Sequence, residues 1–254
     1  MLGLDLSLTS VTRQTGARVP ADLSAEVWFD ASDLSTLWQD AAGTVPVTAS
    51  GQPVGLWCDK SGFARHASQP VAAKRPTYQV IDDKGWVVGD GVDDLLLTPV
   101  FSLAHTNKVT VGIAVKNDPN GGHQLNFDWF GVRGWAIYGG GGGYDYFMRT
   151  PGVQYVSRVF TPAPCIETIV FDRTDATSPT VRRNRLSGVT VPGASSTVVS
   201  GSFSASPLAI FSHSQVGWYS SCAHNQILVL PRLLSLAETV QMEAALAASS
   251  GVTL

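Results

Sequence analysis

Between Trp28 and Tyr78 the chain reads WFDASDLSTLWQDAAGTVPVTASGQPVGLWCDKSGFARHASQPVAAKRPTY, and this stretch excludes more folds than any other. Gly, Pro, Asp or Ser recurs at almost every third or fourth residue, which is too often for a helix. Its apolar residues hold no 3.6-residue period either. Yet three tryptophans, Trp28, Trp38 and Trp57, are threaded through it. Large rings on irregular backbone predict an ordered crossing of loops and short strands, with the indoles plugged into a core. Asp59-Lys60-Ser61-Gly62 predicts a tight turn in which Gly62 takes positive φ. His66, inside the same stretch, is expected to hydrogen-bond loop backbone through its ring.

The rest of the chain is consistent with that reading. Of 254 residues, 44% are apolar and only 15% charged, so a large core can form under a lightly charged surface. With 25 Gly and 14 Pro, the composition favours turns and strands over helices. A net charge of −3 supplies no basic footprint, which argues against nucleic acid as a partner. Cys58, Cys165 and Cys222 are odd in number and widely spaced, so they read as reduced thiols rather than a disulfide or zinc set. No run of eighteen apolar residues predicts a membrane span, and the N-terminus lacks the pattern of a signal peptide.

Taken in order, residues 1–23 read as an N-terminal arm, in which Leu2, Leu4, Leu6 and Leu8 alternate with Gly3, Asp5 and Ser7. That period of two suits an extended strand with one apolar face, either the first strand of the fold or a stripe docked on another subunit. VTVGIAV, at 109–115, puts Val109, Val111, Ile113 and Val115 on one face of a central strand whose other face, of small residues, is closely covered. Aromatic residues crowd 127–147 around five glycines at 139–143, which predicts two strands joined by a glycine turn. Further short strands follow at sandwich-like spacing. Ile227 to Leu230 is a buried strand ended by Pro231. Ser235 and Glu238 then form a capping box for one helix over 235–248, stopped by Gly251.

WFDASDLSTL, PVGLW-DKSG and HA-Q-----RPTY resemble the opening of concanavalin A-like lectin/glucanase (LamG-like) domains in tailed-phage proteins. Later pieces agree in order: GDGVDDLL, VTVGIAVK, ETIVFDRTDATSPTVRRNR, PLAIFSHS and the closing ILVLPRLLSLAETVQMEAALAASSGVTL. The resemblance covers residues 24–254. It implies an all-β, two-sheet antiparallel sandwich of jelly-roll type, and a virion or carbohydrate-recognition role.

Glucanase members of that superfamily need paired carboxylates about 5 Å apart. Only Glu26, Glu167, Glu238 and Glu243 occur, in no E-x-D-x-E pattern, and no G-x-S-x-G elbow is present. The expectation is therefore a non-catalytic protein without a required cofactor. Many LamG-like domains carry calcium; the densest acidic segments are Asp82-Asp83 and Asp90-x-x-Asp93-Asp94, whose alternative role is turn-capping. Trp135, Tyr138, Tyr144 and Tyr146 are the candidates for a stacking platform that recognises sugar or a neighbouring protein. Arg182, Arg183 and Arg185 form the one basic cluster, either a charged edge strand that discourages aggregation or a docking point for an acidic partner. The expected role is a bacteriophage virion structural protein: a capsid decoration, head fibre or tail component, homo-oligomeric and bound to other virion proteins. The arm, through Leu2, Leu4, Leu6 and Leu8, would anchor it. The alternative is a carbohydrate-binding module for host cell-surface polysaccharide.

Overall fold

The computed structural model describes residues 23–116, 123–129, 134–140, 144–150, 152–153, 158–159, 165–174, 180–184, 189–192, 201–212 and 218–254. The early strands are β1 (Val27–Asp30), β2 (Leu37–Trp38), β3 (Leu56–Trp57), β4 (Ala67–Ser68), β5 (Thr77–Ile81), β6 (Lys84–Val88), β7 (Leu96–Leu97) and β8 (Phe101–Ser102). The middle strands are β9 (Lys108–Lys116), β10 (His123–Trp129), β11 (Trp135–Gly140), β12 (Tyr144–Thr150), β13 (Gly152–Val153) and β14 (Arg158–Val159). The last are β15 (Cys165–Asp172), β16 (Thr180–Asn184), β17 (Val189–Pro192), β18 (Ala205–Ser206), β19 (Leu208–Ile210) and β20 (Ala223–Leu230), followed by helix α1 (Leu236–Ser250).

They form an antiparallel β-sandwich. One sheet has the order β17-β16-β15-β9-β20-β6-β5, with β1 also paired to β20; the other runs β13-β12-β11-β10-β19-β7-β4-β3-β2, with β14 on β12. Strands β8 and β18 make a separate pair.

The core lies between the sheets. Val109, Val111, Ile113 and Val115 of β9 enter it together with Ile169 and Phe171 of β15 and Ile227 and Val229 of β20. The opposite face of these strands carries Ala114, Ile166 and Leu228, which pack under Met242, Ala245 and Leu246 of α1. A Cβ on Gly112 would stand 2.6 Å from the Met242 sulfur, so the glycine lets the helix lie against the strand. The close cover expected for that second face is therefore α1 itself.

The helix begins at its capping box: Ser235 Oγ accepts from the Glu238 N–H at 3.3 Å and Glu238 Oε2 accepts from the Ser235 N–H at 2.8 Å. It ends with Gly251 at φ 76°.

The tryptophan-bearing opening folds into loops and two-residue strands, as its breakers require. Trp57 is wholly buried, its ring centroid 5.2 Å from that of Phe29. Asp59 organises the crossing by accepting from the N–H groups of Trp28, Ser61 and Arg65. His66 Nδ1 accepts from the Asp59 N–H at 2.9 Å, which is the backbone-binding role expected of it. Leu34 sits exposed on a one-turn 3₁₀ helix capped by Asp33. All three cysteines are free, and Cys165 and Cys222 are buried.

Candidate functional site

Strand register decides which loops meet. Lys116, at the end of β9, pairs with Ala223 at the start of β20, and Ala223 pairs with Val88 at the end of β6. In the other sheet Ile210, the last residue of β19, pairs with Leu96 at the start of β7. The β6–β7 connection (89–95) and the β19–β20 connection (211–222) therefore cross from sheet to sheet at the same end of the sandwich. Their contact is close. The Gly89 N–H donates to the Cys222 carbonyl at 3.1 Å. A Cβ on Gly89 would come within 2.5 Å of the Ser220 carbonyl oxygen, and one on Gly91 within 3.2 Å of Ser221 Cβ.

The 211–222 connection carries two backbone outliers. Phe211 has φ 70° and Trp218 φ 52°, in the left-handed region that non-glycine residues avoid. The Ser220 N–H donates to the Phe211 carbonyl at 3.0 Å and closes the loop at its foot. Phe211 faces the core, its ring 5.3 Å from that of His224. Trp218 does the reverse. All seven tryptophans are described, and Trp218 alone is exposed, at 53% of its surface.

Below the loop, Cys222 Sγ lies 3.2 Å from Ser220 Oγ and 3.4 Å from His224 Nε2, all three residues being buried. Burial pushes the Cys222 thiol up to about 12, so the thiolate is scarcely populated at neutral pH.

The neighbouring loop is acidic. Carboxylate oxygens of Asp90, Asp93 and Asp94 lie within 4.8 Å of one another. Much of their capacity is spent on their own backbone. Asp90 Oδ1 accepts from the N–H groups of Val92 and Asp93 at 2.8 and 3.2 Å, while Asp94 Oδ2 accepts from the Asp90 N–H at 2.9 Å. Asp94 is 4% exposed, and this burial, with the Asp90 charge beside it, raises its pKa to about 6. Among the described residues these three are the group that could hold a cation. The oxygens not engaged in closing the loop, on Asp90 and Asp93, suit a hard one.

A second charged group lies at the opposite end, where β1 begins. Glu26 pairs with Arg65, and His105 Nε2 lies 3.2 Å from Glu26 Oε1. The Arg65 guanidinium stacks 4.0 Å over the Phe101 ring, so this cluster is built into packing. Lys60 likewise bridges Asp30 and Asp33, at 2.8 Å to each.

Of the residues expected to form an aromatic platform, Trp135 has a described side chain. Trp135 is completely buried, stacked between Trp129 and Phe171 with centroids at 6.4 and 5.2 Å. It is a core residue, and the expectation that it faces a ligand is corrected. The predicted pair of strands flanking the glycines is present as β11 and β12, with Gly139 opposite Tyr144 and Ile137 opposite Tyr146. That register sets positions 144 and 146 on the sheet face of position 135, and position 138 on the other. The side chains of Tyr138, Tyr144 and Tyr146 lie outside the described residues.

Arg182 and Arg183 fall on β16, opposite Ile169 and Thr168. Because β17 pairs along the far side of β16, the expected charged edge is not an edge. The side chains of Arg182 and Arg183, Arg185 altogether, and the arm leucines Leu2, Leu4, Leu6 and Leu8 lie outside the described residues. Trp218 escaped the sequence reading. Its signal is a Gly217-Trp218-Tyr219 cluster in a stretch with neither alternation nor helical period, where a large ring has no assigned core face.

No family profile and no curated protein matches the chain. Solved structures do resemble it in fold. The binding domain of botulinum neurotoxin DC in complex with rat synaptotagmin II superposes with a TM-score of 0.57 at 9% identity, over 89% of this chain and 52% of that one. The same neurotoxin domain in complex with SialylT gives the same values. Trypanosoma rangeli sialidase in complex with sialic acid gives 0.51 at 14% identity, over 89% of this chain and 36% of the enzyme. The chain thus spans about half of the neurotoxin domains and about a third of the sialidase. At these identities the likeness is one of fold alone.

Proposed function

We propose that the chain is a non-catalytic, lectin-like binding module that recognises glycans at the sandwich end formed by 89–95 and 211–222, with Trp218 as the stacking surface. The observation that carries this is the exposure of Trp218, alone among seven tryptophans, on a strained and closed loop. Strain at an exposed aromatic is kept where it places the ring for a purpose. An indole face suits the C–H face of a pyranose. Complexes of the fold neighbours with SialylT and with sialic acid add support for a sugar ligand.

The acidic loop narrows the ligand class. Gly91 lies against Ser221, three residues from Trp218, so the acidic loop neighbours the segment that carries the indole. The Asp90 and Asp93 carboxylates, the latter partly offset by Lys74, disfavour a ligand carboxylate held beside them. The ligand we propose is therefore a neutral or amino-bearing sugar, not a sialylated one. A non-catalytic role is supported by the way Asp90 and Asp94 are engaged by their own loop. The opening-block resemblance supports a setting: a display protein of a phage particle that contacts a host polysaccharide.

A glycan array of neutral, amino and sialylated sugars, probed with the wild type and with Trp218→Ala, tests the reading. Binding to neutral or amino sugars that drops at least tenfold in the variant is expected. Sialylated binding, or binding indifferent to Trp218→Ala, contradicts it. Turnover of any bound glycan would return the chain to the enzymes.

A further inference from the structure

Strand register carries the rim of the sandwich well beyond Trp218. Ile210, which ends β19, pairs with Leu96, which starts β7, and Leu97 pairs with Ser68, which ends β4. Ser68 in turn pairs with Leu56, which starts β3, and Leu56 with Trp38, which ends β2. The connections 39–55, 69–76, 89–95 and 211–222 therefore leave the second sheet at one end, side by side in the order of its strands. At about 4.8 Å per strand, the rim from β19 to β2 runs about 19 Å. Backbone bonds tie neighbouring loops together: the Leu95 N–H donates to the Lys74 carbonyl at 3.2 Å and the Gln69 N–H to the Gly55 carbonyl at 2.8 Å.

Each of these connections exposes an apolar side chain: Val45 at 47%, Val71 at 49%, Val92 at 71% and Trp218 at 53%. Pro70, Val71, Ala72 and Ala73 make an unbroken exposed apolar run. Surface loops ordinarily turn polar groups to water, so such a run marks a surface kept for contact. Most charges of the rim are engaged by the fold itself. Arg75 donates to the carbonyls of Gln39, Gln69 and Pro70, the Asp40 carboxylate accepts from Thr44 and the Val45 N–H, and Lys74 lies 3.8 Å from Asp93. Asp90 differs. It is exposed, its Oδ1 takes the loop N–H groups, and its Oδ2 accepts no hydrogen bond among the described residues. Val92 stands two residues away on the same loop.

Resting on the reading of Trp218 as a sugar-stacking ring, we propose that the ligand is an N-acetylated oligosaccharide laid along this rim. An acetamido group matches what the 89–95 loop offers: its N–H donates to Asp90 Oδ2 while its methyl packs on Val92. A hydroxyl in the same place brings no methyl to the valine. A free ammonium suits the carboxylate but holds its water against the apolar side chains. Val71, on the next loop along, extends the apolar contact past the sugar at Trp218, so the site takes a chain rather than a single terminal sugar.

Titration calorimetry with glycans matched in backbone and linkage, carrying a hydroxyl, amino or acetamido group at C2, tests the proposal. The panel runs from single sugars to tetramers in both gluco and galacto configurations. Three proteins are compared: the wild type, Val71→Ser/Val92→Ser and Trp218→Ala. The wild type should bind the acetamido tetramer about tenfold or more tighter than its hydroxyl and amino counterparts, and tighter than the acetamido single sugar. In Val71→Ser/Val92→Ser that preference should be lost. Both substitutions are at exposed positions, so an unchanged unfolding midpoint serves as the folding control. Equal binding of the three forms, a preference that survives the valine changes, or a single sugar that binds as well as its tetramer overturns the proposal. If that binding still depends on Trp218, the stacking reading stands without it. Binding indifferent to Trp218→Ala, or no binding anywhere in the panel, overturns both.

Discussion

Asp94 is a buried carboxylate that couples this fold's stability to pH. Its carboxyl is held at about 6 by burial and by Asp90, against 3.8 for a free aspartate. The folded state therefore keeps a proton that the unfolded chain releases near pH 4. The stability this contributes is complete below about pH 4 and is lost as pH rises through about 6. Asp94→Asn, neutral throughout, keeps an oxygen to accept the Asp90 N–H. It should raise stability at pH 7 by about 1–3 kcal/mol and flatten the decline between pH 4 and 6, read by urea unfolding across pH. An unchanged slope would mean the carboxyl titrates normally.

Trp218→Ala should leave stability within about 0.5 kcal/mol, because the ring is half in water, while abolishing glycan binding. The same scale shows what the sequence could carry. His66 was readable because breaker-rich segments need side-chain partners for loop backbone. Trp218 was not, because exposure of a loop aromatic is set by which loops cross beside it.

Among elements, the crossing of 89–95 over 211–222 fixes the site, and Gly89 is where they touch. A side chain there would meet the Ser220 carbonyl at 2.5 Å and the Phe211 ring at 2.7 Å, the first of them backbone that cannot swing aside. Gly89→Ala should cost about 1–3 kcal/mol and weaken glycan binding together with stability, by calorimetry and titration. The cap of α1 offers a control far from the site. Ser235→Ala should cost about 1 kcal/mol in the same unfolding assay and leave binding unchanged.

Elements with strong local signals were legible: the alternation of β9, the pairing of β11 with β12 on either side of the glycines, and the capping box of α1. The burial of Trp135 was not. The pattern that predicts β11 is the same whether its ring faces water or Phe171 of the opposite sheet. The cover over β16 was missed for a related reason, since the four residues of β17 carry too little pattern to reveal an outer strand.

At the scale of the whole molecule, the sandwich separates its tasks between its ends. The end where β1 begins is locked by Glu26, Arg65 and Phe101, and the Lys60 bridge to Asp30 and Asp33 holds the end where β1 finishes. The other end presents a strained indole beside carboxylates. The likeness to the neurotoxin and sialidase structures, at 9–14% identity, is one of fold, and a fold does not by itself set a ligand.

The most direct test of the account is a titration of the protein with the neutral or amino-bearing oligosaccharide that binds best, followed by the tryptophan indole N–H signals in NMR. The account predicts that the Trp218 signal shifts in proportion to occupancy while those of the buried Trp57, Trp129 and Trp135 stay in place. Shifts at Trp28 or Trp38 with Trp218 unmoved would put the ligand on the opening loops and contradict it.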